Sequence, residues 1–265
     1  MSALALLNTA ARLGAYRRAE GLAYGDGPRR RLDLYRPREP GPYPGVVFFY
    51  GGSWQEGDRR LYRFVGAALA SRGILTLIPD YRVYPQVRFP DFLDDAAEAV
   101  RWAQDHAAEH GGDPGRLVLL GHSAGAHIAA MLALDSQWLG GVGRAPQDLA
   151  GMAGLAGPYD FLPIRDPVLQ TIFGPETKRD RTQPINFVGP DAPPLLLLAG
   201  AKDRTVDPGN SRRLADRGAR VGAEARALIY PTLDHRTILG ALSPLLRPLA
   251  PVLDTVTGFV HAAGR

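Results

Sequence analysis

Gly121-His122-Ser123-Ala124-Gly125 follows the apolar run Leu117 to Leu120 and leads into the small-residue stretch Ala124 to Leu134. The apolar run reads as a buried strand and the alanine-rich stretch as a helix. A serine between them sits on a sharp turn, its hydroxyl presented beyond the carboxyl end of the strand. Glycine two residues to either side lets strand and helix approach closely. This is the setting of a nucleophilic serine, and such a serine needs a base, an acid and donors for an oxyanion.

Working back from this turn, Gly111-Gly112 stops a helix that starts near Pro90. Asp91, Asp94 and Asp95 complement its positive end, and Phe92, Ala96, Ala99, Val100, Ala103 and Ala107 form one apolar stripe. The end of this helix, His106-Ala107-Ala108-Glu109-His110, also fits a zinc-peptidase pattern with both imidazoles on one face. Histidines near the negative end of a helix account for it equally well, and the serine turn explains more of the chain. Before that lie a buried strand, Ile74 to Ile78, and a helix, Leu61 to Arg72, closed by Gly73.

Gly45 to Tyr50 is a continuous apolar run of the kind buried on both faces of a sheet. It ends at Gly51-Gly52-Ser53-Trp54, where a glycine pair lets the backbone turn its amides toward a ligand. An antiparallel hairpin is expected at the start, with arms Gly21–Tyr24 and Arg31–Tyr35 around Gly25-Asp26-Gly27-Pro28. Leu4, Leu7, Ala11 and Leu13 suggest a short amphipathic helix before it.

Toward the carboxyl terminus, Leu149 to Leu155 reads as a strand, and residues 158–190 lose periodicity and gather prolines. A long irregular stretch in a compact domain is often a lid or binding loop. Pro194 to Gly200 is a further buried strand leading to Asp203, and Asp207-Pro208 reads as a cap and first position of a helix through Arg220. Ala225 to Tyr230 makes the last strand, ending near Asp234-His235, and Leu239 to Ala263 reads as helical segments broken by prolines.

The chain has 265 residues, 45% of them hydrophobic, which suffices for a substantial core and fits one domain over 1–265 with a short cap or lid at 158–190. Its formal charge of +4 is a small excess of 31 basic over 27 acidic residues, and Lys178 and Lys202 are the only lysines. Arg17-Arg18 and Arg29-Arg30-Arg31 lack interleaved aromatics and belong to no nucleic-acid motif, so no nucleic-acid partner is expected. Without cysteine there are no disulfides, thiolate metal sites or thiol nucleophiles. Ala3 to Leu7 is too short for a signal segment, and no stretch approaches the roughly twenty apolar residues that span a bilayer. The expectation is a soluble, cytoplasmic protein without a membrane partner.

Alternating strands and helices after a hairpin argue for an α/β fold with a mostly parallel sheet and helices on both faces. Active sites of such sheets gather at the carboxyl ends of strands. Ser123, Asp203 and His235 each follow a strand, in that order. On these residues and on Tyr50-Gly51-Gly52-Ser53-Trp54 the chain resembles the α/β hydrolases of the esterase/lipase branch, such as bacterial carboxylesterases and kynurenine formamidases. Gly157-Pro158-Tyr159-Asp160-Phe161 resembles a further segment of that branch.

The resemblance implies Ser123 as nucleophile, His235 as base and Asp203 as acid, with the amides of Gly52, Ser53 and Ala124 as the oxyanion hole and no cofactor or metal. Asp160 is the second choice of acid, since it follows the preceding strand. Asp234 adjoins His235, and neighbouring side chains in extended structure point apart. Of the other histidines, His122 fills the turn, His127 packs one helical turn beyond Ser123, and His261 lies in the tail. Trp54, Tyr159 and Phe161 are pocket candidates. Tyr50 departs from the histidine that many relatives carry before the glycine pair. The implied activity is hydrolysis of small, partly apolar carboxyl esters through an acyl-enzyme, with amide hydrolysis of the arylformamidase type as the alternative. A binding module without catalysis is a further alternative, disfavoured by the complete set of three side chains.

Overall fold

The computed structural model describes residues 3–11 and 14–264. Eight strands form one sheet: β1 (Tyr16–Ala23), β2 (Arg31–Pro37), β3 (Tyr43–Phe49), β4 (Leu75–Pro79), β5 (Gly112–His122), β6 (Gly151–Leu155), β7 (Leu195–Gly200) and β8 (Ala225–Tyr230). Their spatial order is β1-β2-β4-β3-β5-β6-β7-β8. β1 pairs antiparallel with β2, and β2 antiparallel with β4. All other pairs are parallel.

The parallel strands in the middle are apolar because helices cover both of their sides. Val46 of β3 aligns with Thr76 of β4 on one side and Val118 of β5 on the other. Residues 117–120 of β5 and 195–198 of β7 are all buried. The edge strand β1 carries Arg17, Arg18 and Glu20 and is only partly covered, so its first half gives no apolar signal. The hairpin is therefore longer than the sequence suggests, and it bulges between Ala19 and Leu22, with Gly21 at φ 67°.

The helices are α1 (Ala3–Ala11), α2 (Arg63–Ala70), α3 (Asp91–His106), α4 (Ala124–Leu134), α5 (Ser136–Gly140), α6 (Pro167–Phe173), α7 (Gly209–Val221), α8 (Thr237–Gly240) and α9 (Val252–Ala262). α2 packs against α1 and α9, while α3 packs against α4. Leu13, expected in the first helix, lies outside the described residues. The helix expected from Leu61 begins instead with a 3-10 turn, Arg59–Tyr62, because the Asp58 carboxylate accepts from the Arg60 amide at 2.8 Å and sets the turn there. α7 starts one residue later than expected, the Asp207 carboxylate accepting from the Gly209 amide at 2.9 Å.

Residues 158–190 are less irregular than their sequence. Asp166 caps α6 by accepting from the amides of Val168 and Leu169, with Pro167 in the first turn, and 3-10 turns follow at Glu176–Thr182 and Pro184–Asn186. The stretch is tied to the body of the fold: the Thr182 carbonyl accepts from His127 Nε2 of α4 at 2.8 Å, and the Ile172 carbonyl accepts from the Phe89 amide at 3.0 Å.

No helix among the described residues is long and apolar enough to cross a membrane. The zinc-like spacing is not kept. α3 ends at His106, so Glu109 and His110 fall in a 3-10 turn, and both imidazoles lie against Trp102. No group of three or more metal-ligating side chains is assembled among the described residues.

Candidate active site

The turn between β5 and α4 holds Ser123 at φ 55° and ψ −123°, a conformation that an L-residue adopts only where its surroundings impose it. The imposition comes from packing. A Cβ on Gly121 would overlap the backbone of Gly125, and a Cβ on Gly125 would overlap the carbonyls of Phe49 and Tyr50. The two glycines therefore let α4 sit directly on β5 and β3, and the serine between them is pushed outward. Gly51 completes the contact, since a Cβ there would lie 2.9 Å from that of Ser123.

Ser123 Oγ lies 2.9 Å from His235 Nε2, and His235 Nδ1 lies 2.8 Å from Asp203 Oδ2. A carboxylate only accepts, so Nδ1 carries the proton and Nε2 is free to accept from the serine hydroxyl. The other oxygen, Asp203 Oδ1, accepts from the amides of Thr205 at 2.8 Å and Val206 at 2.9 Å. Burial works to raise the pKa of Asp203, but the hydrogen bonds from His235 and the Val206 amide, His235's charge and the Thr205 amide together hold it below the usual carboxylate value. The turn that carries Asp203 and the loop that carries His235 are joined by backbone: Lys202 N donates to the Leu233 carbonyl at 3.0 Å, and Gly200 has no room for a Cβ against that carbonyl.

The rival carboxylates are engaged elsewhere. Asp160 pairs with Arg213 at 2.5 Å, and Asp234 accepts from the Arg236 and Thr237 amides at the start of α8. Asp160 is thus not brought to His235.

The loop after β3 turns at Gly52, φ 139°, and then passes through Ser53 and Trp54 at φ 53° and 59°. Its first carbonyls point inward, Gly52 O accepting from Gln55 and Glu56. Among the described residues none accepts a hydrogen bond from the amides of Gly52, Ser53 or Ala124. Ala124 adjoins Ser123 and Gly51 packs against it, so these are unengaged donors on the two segments that meet at the serine.

Ser123 opens into a cavity of about 470 Å³, of a size that suits a small molecule. Trp54 and Phe161 line it, together with Leu162, Ile164 and Leu169 of the 158–190 stretch. Asp160, Asn210 and Arg213 make a polar side. Tyr159 does not line it: its side chain is fully buried, packed where Gly154 and Gly157 lack a Cβ. Those two glycines leave the room into which its ring turns, a fit that exists only once the fold has formed.

Two site residues go unnoticed in the sequence. His122 Nε2 donates to the carbonyl of His235 at 2.8 Å, its ring 4.9 Å from that of His235. Burial, and then the charge of His235, lower its pKa to about 4, so it is a neutral donor. Asn210 Oδ1 accepts from the amides of Tyr159 and Asp160 at 2.8 and 2.7 Å and so fixes the backbone beside the cavity. Nothing in the sequence around Asn210 signals this, because its partners lie 50 residues away.

Comparison with known proteins agrees with this architecture. The chain is 32% identical over 237 residues to the probable isoprenylcysteine alpha-carbonyl methylesterase ICMEL1 of Arabidopsis thaliana, covering 81% of this chain and 50% of the plant protein. It is 31% identical to the esterase LipC of Mycobacterium tuberculosis, over 73% of this chain and 53% of LipC. The chain thus spans about half the length of these curated relatives. A truncated carbohydrate esterase from gut microbiota shares the fold with a TM-score of 0.80 at 19% identity, covering 95% of this chain and 98% of that one. The apo form of Thermogutta terrifontis esterase 2 shares it with a TM-score of 0.76 at 23% identity, covering 94% of each chain. The BD-FAE family profile matches residues 32–217, from β2 through most of α7, and with it Ser123 and Asp203. The chain belongs to the BD-FAE family of α/β hydrolases.

Proposed function

We propose that this protein is a serine carboxylester hydrolase. The observation that carries the reading is the unbroken chain Ser123 Oγ, His235, Asp203, with Ser123 lining a cavity. Ser123 Oγ attacks the ester carbonyl while His235 Nε2 takes its proton. The carbonyl oxygen, now negative, is held by the amides of Gly52, Ser53 and Ala124. Asp203, kept ionised, stabilises the imidazolium. The tetrahedral species collapses, the alcohol leaves with the proton from His235, and the acyl group stays on Ser123. Water activated by His235 then releases the acid by the same route.

The apolar side of the cavity, Trp54 with Phe161 and Leu169, supports small, partly apolar esters as substrates. The plant relative is named as a probable isoprenylcysteine alpha-carbonyl methylesterase and LipC as an esterase, so ester chemistry is what they share. The first part of the 158–190 stretch, as far as Leu169, lines the cavity, which supports its role as a lid on a single domain. A cytoplasmic location belongs to the same proposal and is checked by cell fractionation.

The test is hydrolysis of short p-nitrophenyl esters by the wild type and by Ser123→Ala. The wild type is expected to turn over, and the variant to lose more than about 10³-fold in kcat. An active Ser123→Ala variant would refute the reading, as would a wild type that binds esters without turnover. Faster hydrolysis of N-formylanilines than of esters would instead favour the amidase activity of the same triad.

A further inference from the structure

The loop from Gly51 to Gly57 supplies two of the three oxyanion donors, and it is wrapped around a side chain that the proposed mechanism does not use. Tyr50 is fully buried just beyond β3. Its ring is stacked between Tyr62, with centroids 5.1 Å apart and planes within 5°, and Tyr81 at 4.9 Å. Its hydroxyl donates to Asp80 Oδ1 at 2.7 Å and accepts from Arg29 Nη2 at 3.2 Å. Burial first, and then the charge of Asp80, raise its pKa well above the usual phenol value, which keeps the hydroxyl protonated as a donor.

The far end of the loop is referenced to the same ring. Gly57 lies at φ 134°, and a Cβ there would overlap the Tyr50 ring. Its carbonyl accepts from Arg29 Nη2 at 2.9 Å, the nitrogen that also reaches the Tyr50 hydroxyl. Asp80 Oδ1 accepts in turn from the amide of Arg59, two residues on, at 2.8 Å. Tyr81 returns a hydrogen bond to the Tyr50 carbonyl at 2.7 Å, and Arg29 Nε holds the Tyr81 carbonyl at 2.7 Å. Between these two fixed ends Ser53 and Trp54 keep left-handed backbone angles that they do not favour by themselves.

We propose that Tyr50 is a positioning residue that sets the height of the Gly52 and Ser53 amides over the reacting carbonyl, through its ring against Gly57 and its hydroxyl between Asp80 and Arg29. The inference rests on the esterase reading. A loop released at one end still admits substrate, but its donors no longer meet the tetrahedral oxygen squarely. Loss of Tyr50's hydroxyl therefore falls on the transition state and not on ground-state binding.

Tyr50→Phe keeps the ring, and Asp80 keeps its bonds to Arg59, so the variant is expected to fold. Arg29→Gln, at a half-buried position, releases Gly57 by a second route. For both, kcat on a p-nitrophenyl ester is expected to fall about tenfold with KM within twofold. Inhibition by a trifluoromethyl ketone, whose adduct places an oxyanion on the same amides, is expected to weaken by a similar factor. A kcat within twofold of wild type in either folded variant overturns the inference, as does a change confined to KM. Ser123→Ala measured alongside separates the two levels. If it is active the esterase reading itself has failed. If it is inactive while Tyr50→Phe and Arg29→Gln match the wild type, only the role of Tyr50 has.

Discussion

Asp203 and Asp160 offer the same functional group at the ends of adjacent strands, and their surroundings give them different work. Asp203 has one oxygen on His235 Nδ1 and the other on two amides, so it holds the imidazole in a single orientation. Asp160 is committed to Arg213 at the rim of the cavity. Asp203→Asn is expected to lower kcat by about 10⁴, since an amide nitrogen facing Nδ1 forces the wrong tautomer. Asp160→Asn disturbs a partly exposed ion pair and is expected to cost less than about tenfold. Steady-state kinetics of the two variants checks the assignment, and a larger loss in Asp160→Asn would reverse it. The sequence could order these two acids only by position along the chain. It could not show His122 at the His235 carbonyl, because the contact joins residues 113 apart and the histidine looks like filler within the turn.

At the scale of elements, the site depends on how closely α4 lies on the sheet. Gly125 packs on the carbonyls of Phe49 and Tyr50, so β3, the loop that follows it and the serine turn meet at a point that tolerates no side chain. Gly125→Ala is expected to destabilise the protein by about 3 kcal/mol through overpacking of backbone against backbone. It is also expected to reduce kcat by displacing Ser123 from His235. Thermal melts with activity measured well below the transition test both parts, and an unchanged melting temperature would show that the contact can relax. The strands that carry this junction are legible because each is an unbroken apolar run between helices. α6 is not, since a seven-residue helix that opens with a proline makes no periodic pattern, and it exists through its Asp166 cap and the burial of Ile172 and Phe173.

At the scale of the whole molecule, the buried histidines link stability to pH. His122 and His127 both have pKa values lowered to about 4, burial being the main cause in each. The unfolded chain protonates them near 6.5, so between about pH 6.5 and 4 it binds more protons than the native state. Stability therefore falls as pH is lowered through that window, by up to about 3 kcal/mol for each histidine. Asp203, whose pKa is lowered, adds a loss at still lower pH as it is protonated. Melting temperature measured from pH 7 to 4.5 is expected to decline, and less steeply in His127→Gln, which retains a donor for the Thr182 carbonyl. A parallel decline in that variant would remove His127 from the account. The mostly parallel sheet with its antiparallel opening hairpin was readable from the alternation of elements. The charged first half of β1 and the inward turn of Tyr159 were not, because edge exposure and side-chain direction are settled by tertiary packing.

The central claim is that Ser123 is the residue that becomes acylated. Incubation with a diethyl organophosphate, followed by intact mass measurement and peptide mapping, tests it most directly. The account predicts one diethylphosphoryl group per chain, located on Ser123, with esterase activity lost in proportion to labelling and no label on Ser123→Ala. A label on another residue that abolishes activity, or full activity in a chain labelled on Ser123, would contradict it.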